Sequence, residues 1–120
     1  MSENVIKNKS FSFALRVVKL YKFLTQEKKE YVLSKQLLRS GTSVGALVRE
    51  AEQAESKLDF IHKLAIAQKE ANESDYWLEL LFKSEYLNDA QFESLKEDII
   101  EINKILASII ITTKQRIGKK

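Results

Sequence analysis

The sequence contains no proline, no cysteine and only three glycines among its 120 residues. Proline breaks helix interiors, and strand-rich folds use both proline and glycine as turn residues. Their scarcity therefore predicts a few long helices joined by short polar turns. The lack of cysteine excludes disulfides and thiolate metal sites, and it fits a reducing, cytoplasmic environment.

Histidine is almost as scarce, because His62 is the only one. A single histidine excludes metal sites that need two imidazoles, such as paired Glu-x-x-His motifs in helix bundles. No glycine-rich phosphate loop followed by Lys and Ser or Thr is present. We therefore predict no catalytic residue, no metal site and no cofactor. A remote alternative, an enzyme that binds a metal through Glu50, Glu70 and Glu73, stays open.

Long hydrophobic runs are also missing. The longest apolar run near the end, residues 105–111, is far too short to cross a bilayer. Residues 1–10 are polar and of mixed charge, unlike a signal peptide. We therefore expect a cytoplasmic protein with no membrane association.

The apolar residues that are present recur at three- and four-residue spacing in four segments. No segment shows the alternation with a period of two that a half-buried strand requires. The predicted helices span about residues 10–25, 29–55, 58–85 and 89–114. Short connections force neighbouring helices to run antiparallel. The sequence thus predicts an all-α single domain over residues 1–120, folded as an antiparallel up-down-up-down four-helix bundle.

One stretch of the second predicted helix is rich in glycine and serine. Residues 39–46 resemble a loop in isolation, because glycine and serine are poor helix formers. The apolar stripe nevertheless stays in register across them, from Leu37 through Ser40 to Val44. We therefore predict a helix here, with small side chains that allow close packing of a neighbour.

The first and fourth predicted helices carry more apolar residues than one core-facing stripe needs. Apolar surface left in water usually marks a partner interface, so we predict self-association through the outer faces of these helices. The alternative is a thick core that takes in the same side chains. The residues predicted for the interface are Val17, Leu20, Tyr21, Leu24, Ile100, Ile105 and Ile110.

Charge is unevenly distributed along the chain. The net charge of +3 divides into +6 for residues 1–40, −7 for residues 41–100 and +4 for residues 101–120. Basic ends indicate a surface for nucleic acid, although charges that only complement helix dipoles would also fit. The cations predicted to bind RNA or DNA are Lys7, Lys9, Arg16, Lys19, Lys22, Lys28, Lys29, Lys114, Arg116, Lys119 and Lys120.

Several carboxylates of the second and third predicted helices fall near one another. Glu70 and Glu73 are neighbours on one helix, and Glu50 lies on the helix before it. Ionised carboxylates are costly to bury unless they are paired. We therefore predict structural ion pairs between these carboxylates and nearby cations. The residues assigned to these pairs are Arg39, Arg49, Glu50, Lys63, Glu70 and Glu73.

Four stretches of the sequence resemble motifs of a known protein family. Residues 43–50 read Ser-Val-Gly-Ala-Leu-Val-Arg-Glu, and residues 58–73 read Leu-Asp-Phe-Ile-His-Lys-Leu-Ala-Ile-Ala-Gln-Lys-Glu-Ala-Asn-Glu. Together with Tyr-Trp-Leu-Glu-Leu-Leu at 76–81 and Gln-Leu-Leu-Arg-Ser at 36–40, they resemble the bacterial four-helix bundle proteins called 23S rRNA intervening-sequence proteins. That family is related to the accessory variability determinants of diversity-generating retroelements. The resemblance covers nearly the whole chain, from Phe11 to about Ile110.

The resemblance implies a bacterial cytoplasmic bundle that forms a homo-oligomer, often a pentameric ring. Some relatives are encoded inside ribosomal RNA genes. In others a basic oligomer partners a reverse transcriptase and nucleic acid. The family supplies no catalytic residues.

Two functions from different classes follow from the sequence. The first is a non-enzymatic homo-oligomeric adaptor that binds RNA, DNA or a ribonucleoprotein partner through its basic residues. The second is a protein–protein scaffold with no role in nucleic-acid binding. Salt-dependent binding of a labelled nucleic acid distinguishes them, because phosphate contacts release counterions.

Overall fold

The structure is a computed structural model that describes residues 2–118, with side chains from residue 4 onward. Helices account for all the regular secondary structure of these residues, which confirms the predicted all-α four-helix bundle. The four helices are α1 (Ser2–Gln26), α2 (Leu33–Ala51), α3 (Lys57–Lys83) and α4 (Asp89–Gly118).

Each helix packs against the helices adjacent to it in sequence, and α1 and α4 meet to close the bundle. The seam between α1 and α4 is the least extensive of the four. The molecule is elongated, with principal extents of 54 × 22 × 20 Å. Because successive helices run antiparallel, the two turns that follow α1 and α3 share one end of the bundle. The opposite end holds the start of α1 and the last turns of α4.

The start of α1 corrects the predicted boundary, because the helix begins at Ser2 and not near residue 10. Ile6 explains the extension, since it is buried and continues the core line of Phe13 and Val17 by two helical turns. Ser10 is consequently not a helix cap. Its hydroxyl donates to the carbonyl of Lys7 at 3.2 Å, and its side chain is buried against α2.

The second helix is shorter than predicted at both ends, since it spans Leu33–Ala51 instead of 29–55. The connection between α1 and α2 spans residues 27–32, and within it Lys29 adopts a left-handed backbone with φ 58°. The segment 39–46 is helical, as predicted from its apolar stripe.

Two glycines of α2 face α1 and allow the two helices to approach closely. A Cβ atom on Gly41 would lie 2.9 Å from Cγ2 of Val17, and one on Gly45 would lie 3.3 Å from the backbone oxygen of Ser10. Side chains at these positions would therefore push the helices apart. The small residues continue on the other side of α2, where the buried hydroxyls of Ser40 and Ser74 lie 3.0 Å apart.

Side-chain caps define the starts of α3 and α4. The hydroxyl of Ser56 accepts a hydrogen bond from the N–H of Asp59 at 3.0 Å. Asn88 and Gln91 form a reciprocal capping box, in which each side-chain oxygen accepts from the other residue's backbone N–H, at 2.8 and 2.9 Å. These caps agree with the predicted helix starts near residues 58 and 89.

Candidate nucleic-acid interface

Three of the predicted cations are engaged within the bundle. The Nζ of Lys7 lies 3.3 Å from Glu52, which directly follows α2, and the Nζ of Lys9 lies 3.0 Å from Glu101 on α4. Arg16 pairs with Asp98 and also donates to the side chain of Ser94. Ligand phosphate would have to compete with these carboxylates, so the three residues mainly join α1 to its neighbours.

A second group of predicted cations is exposed and unpaired. These residues lie in the second half of α1 and in the turn after it, and among the described residues none of them takes part in an ion pair. We call this group the basic end, and it consists of Lys19, Lys22, Lys28 and Lys29.

The last predicted cations lie elsewhere. Lys114 and Arg116 are exposed in the final turns of α4, at the opposite end of the bundle from Lys28 and Lys29. Lys119 and Lys120 lie outside the described residues. The predicted cations therefore do not form one continuous surface.

A buried carboxylate fixes the turn that carries Lys28 and Lys29 of the basic end. Glu30 accepts hydrogen bonds from the backbone N–H groups of Val32, Leu33 and Ser34, at 3.1, 2.9 and 2.6 Å. The hydroxyl of Ser34 donates back to the Glu30 carbonyl at 2.8 Å. Burial raises the pKa of the Glu30 carboxyl, but the backbone hydrogen bonds more than offset this, so its pKa lies below the usual value. The carboxylate thus caps α2 from inside the turn.

Two apolar side chains project from this turn into solvent. Tyr31 is 58% exposed and Val32 is 70% exposed. The sequence did not reveal them as surface residues, because the predicted second helix began at residue 29 and took in both. A strongly exposed aromatic residue beside lysines suggests a binding surface. Tyr31 could be recognised as such a residue only once the start of α2 was known to be Leu33.

Two clefts adjoin the basic end. The larger, of about 450 Å³, lies on the seam between α1 and α4 and is lined by Arg16, Lys19, Leu20, Phe23, Gln91 and Leu95. The smaller, of about 220 Å³, lies between the two turns at this end, with Phe23 and Lys28 on one side and residues 85–88 on the other. The Nζ of Lys28 lies 5.8 Å from the centroid of the Phe23 ring. The larger cleft therefore combines a mainly apolar lining with two cations, Arg16 and Lys19, whereas the lining of the smaller cleft is mixed and includes Lys28.

The predicted interface residues require correction, because Val17, Leu20, Leu24 and Ile110 are buried in the core. Most of the apolar residues of α1 that the sequence analysis assigned to an outer face belong to its core face. This core face also continues further toward the N-terminus than predicted, to Ile6. Tyr21 and Ile105 are half-buried, and Ile100 is exposed.

The exposed apolar surface of α1 lies instead on the line of Phe11 and Leu15, which are 48% and 56% exposed. Half-buried Val18 continues this line one turn further. The guanidinium carbon of Arg49 lies 5.0 Å from the centroid of the Phe11 ring. Arg49 was predicted as an ion-pair residue, but its contact is with this aromatic face.

The remaining predicted ion-pair residues lie between α2 and α3. Arg39 contacts both Glu70, at 3.6 Å, and Glu73, which also accepts from Nε1 of Trp77 at 3.3 Å. Further along the same pair of helices, the Nζ of Lys63 lies 3.3 Å from Glu50. Within residues 2–118, no group of three or more His, Cys, Asp or Glu side chains is arranged to hold a metal ion.

In the part of the chain that the structure describes, none of the helices combines the length and apolar character needed to span a membrane.

Known proteins resemble this chain in both sequence and structure. The family model of the 23S rRNA-intervening sequence protein matches residues 2–108. A crystal structure at 1.70 Å resolution, of a protein with unknown function from the S23 ribosomal protein family of Bacteroides thetaiotaomicron, is 63% identical. The match covers 92% of this chain and 98% of that one, with a TM-score of 0.91. The chain matches none of the curated proteins. Because the family model covers most of its length, the chain belongs to the family of 23S rRNA-intervening sequence proteins.

Proposed function

We propose that this chain is a non-enzymatic, self-associating adaptor that binds nucleic acid through the basic end. The observation that carries the proposal is the state of Lys19, Lys22, Lys28 and Lys29, which are exposed and, among the described residues, form no ion pair. A phosphate backbone would release counterions on contact with such lysines, and this release drives sequence-independent binding.

Self-association would strengthen this binding. A net charge of +3 per chain is modest for a nucleic-acid-binding protein. In a homo-oligomer, such as a pentamer, every copy presents the same basic end, and linked weak contacts add up to higher avidity. A ribonucleoprotein partner, for example a reverse transcriptase with its RNA, would offer the same phosphates.

The contacts of the acidic residues support a role without catalysis. The carboxylates that an acid–base or metal-binding enzyme would use are engaged by cations: Glu50 by Lys63, and both Glu70 and Glu73 by Arg39. These pairs join α2 to α3, which is a structural task. The comparisons with known proteins name no enzymatic family.

Fluorescence anisotropy tests the proposal, with a labelled structured RNA and a labelled duplex DNA titrated at several salt concentrations. We expect the logarithm of the association constant to fall linearly with the logarithm of the salt concentration. On duplex DNA the slope should be about −0.9 for each phosphate contact. The double substitution Lys22→Gln and Lys29→Gln should reduce that slope by about two, because each lysine accounts for about one phosphate contact.

The matched control replaces Lys69 and Lys104 with Gln. These lysines are exposed on α3 and α4, outside the basic end, and have no ion pair among residues 2–118. The control removes the same charge and should leave the slope unchanged. If neither nucleic acid binds the wild-type protein even at low salt, the protein–protein scaffold becomes the better description. An equal loss of slope in both double variants would show that binding responds only to net charge.

A further inference from the structure

The turn between α1 and α2 combines exposed apolar side chains with positive charge. Together with the first turn of α2 we call it the basic tip, and we define it by Lys28, Lys29, Tyr31, Val32 and Lys35. Residues 27–35 contain these three lysines, one exposed carboxylate, that of Glu27, and the buried carboxylate of Glu30. The surface of the tip is therefore net positive around a strongly exposed aromatic ring.

The tip is held in one conformation. The Glu30 carboxylate accepts three backbone hydrogen bonds, and the N–H of Glu30 itself donates to the carbonyl of Leu24 at 2.9 Å. A fixed backbone on either side of Tyr31 reduces the entropy that would be lost when a ligand packs on its ring. The carboxylate also occupies N–H groups at the start of α2, so recognition of an anion at the tip falls to the lysine side chains.

Aromatic rings flanked by cations suit unpaired nucleobases better than duplexes. In a duplex the faces of the bases are already stacked, and only the phosphates remain for the lysines. In a single strand a base can stack on an exposed ring while neighbouring phosphates contact cations. Tyr31 supplies such a ring, and Lys29 and Lys35 lie two and four residues away on either side.

Taken with the proposed function, on which this inference rests, these features name the class of nucleic acid. We propose that the basic tip binds unpaired segments of RNA or DNA, with Tyr31 stacking on a base and Lys28, Lys29 and Lys35 contacting the adjacent phosphates. Val32 widens the apolar surface beside the ring. A second copy of the chain fits the tip less well, because two tips in isologous contact would bring their lysines together.

Another tyrosine provides a matched control. Tyr76 is also 58% exposed, but it lies on α3 between Asp75 and Glu79 and packs edge-on against Trp77. The two residues therefore share chemistry and exposure, and they differ in the charge around them. Substitution of either should leave the fold intact, which circular dichroism would verify.

The test measures anisotropy with a labelled 12-nucleotide oligo(U) and a labelled RNA duplex of the same length. We expect Tyr31→Ala to weaken binding of oligo(U) about 5- to 100-fold, the usual effect of losing one stacked base. Binding of the duplex and the salt slope should stay unchanged, because the lysines remain. Tyr31→Phe should retain oligo(U) affinity, since it keeps the aromatic face, and Tyr76→Ala should have no effect.

Each other outcome overturns the inference. Oligo(U) binding that survives Tyr31→Ala, or a loss shared equally by the duplex, would show that the tip does not recognise unpaired bases, while the proposed function would stand. A change in the mass of the assembly on Tyr31→Ala, measured by light scattering, would assign the tip to contacts between copies. Wild-type protein that binds neither probe at low salt would overturn the proposed function together with this inference.

Discussion

Glu30 illustrates how a single acidic residue can determine where a helix begins. Its carboxylate satisfies the N–H groups of Val32, Leu33 and Ser34, which have no partner within the first turn of α2. Serine, threonine, aspartate and asparagine are the usual side-chain caps, and a glutamate three residues ahead of the first helical residue, Leu33, is not among them. The sequence pattern therefore placed the start of α2 too early.

Replacing this carboxylate should destabilise the protein. We expect Glu30→Gln to lower the free energy of unfolding at pH 7 by about 1–2 kcal/mol, because charged acceptors form stronger hydrogen bonds than neutral ones. Urea denaturation followed by circular dichroism measures the change. Glu27→Gln is the control, since Glu27 is exposed in the same turn and should alter stability by no more than about 0.5 kcal/mol.

The same residue predicts a pH dependence. A folded-state pKa below the unfolded-state value means that the carboxylate contributes stability above the unfolded pKa, near 4.5, and loses it as the pH falls through the folded pKa. The difference in stability between wild type and Glu30→Gln should therefore shrink on acidification below about pH 4.5. A difference that stays constant down to pH 3 would contradict the assigned hydrogen bonds.

At the scale of the elements, the close contact between α1 and α2 depends on glycines of α2, which have no side chain. Gly41→Ala would place a methyl group against Val17, whose β-branched side chain is fixed and buried. We expect a net destabilisation of about 1–2 kcal/mol, since overpacking outweighs the gain in helix propensity. Thermal or urea denaturation would measure it.

A second substitution isolates the cause. In a Val17→Ala background the added methyl group has room, so Gly41→Ala should there be neutral or stabilising by up to about 1 kcal/mol. Gly118→Ala is the control, because a Cβ atom at Gly118 has no neighbour within 4 Å. Equal costs of Gly41→Ala in both backgrounds would mean that the contact with Val17 does not set the helix spacing.

Helix identity was predictable from the sequence, whereas helix ends were not. The stripe through Leu37, Ser40 and Val44 correctly outweighed the loop-like composition of residues 39–46, because periodic burial contributes more than local propensity. The extension of α1 to Ser2 was missed since Val5 and Ile6 are the only apolar residues between Ser2 and Ser10, too few to show a helical period.

At the scale of the whole molecule, fewer apolar side chains and fewer unpaired cations are exposed than the sequence suggested. The sequence showed more apolar residues on α1 than one core-facing stripe needs, but it could not decide which of them face the core. The line of Phe13 and Val17 is buried, and the line of Phe11 and Leu15 is exposed. Similarly, counting lysines could not show that Lys7 and Lys9 are held in ion pairs. Such distinctions depend on neighbouring helices, which the local pattern does not contain.

The exposed line of α1 gives a test of self-association. We expect the wild-type protein to have a mass that is a multiple of 13.9 kDa, and Leu15→Lys to shift it to the monomer, because a buried charge disfavours an apolar interface. Light scattering coupled to gel filtration measures both. Leu58→Lys is the control, since Leu58 is 70% exposed at the start of α3, apart from this line.

Monomeric wild-type protein would contradict the proposed assembly. An assembly that persists in Leu15→Lys would move the interface to another face, such as that of Ile100 and Ile111 on α4, which are both exposed.

The pairing of helices adjacent in sequence also bears on how the chain folds. Three of the four seams join consecutive helices, so most contacts form between residues close in sequence, and such topologies fold in microseconds to milliseconds. Only the α1–α4 seam needs distant segments to meet, as in the pair Arg16 and Asp98, which are 82 residues apart. That seam is also the least extensive, so we expect it to form last in folding and to open first.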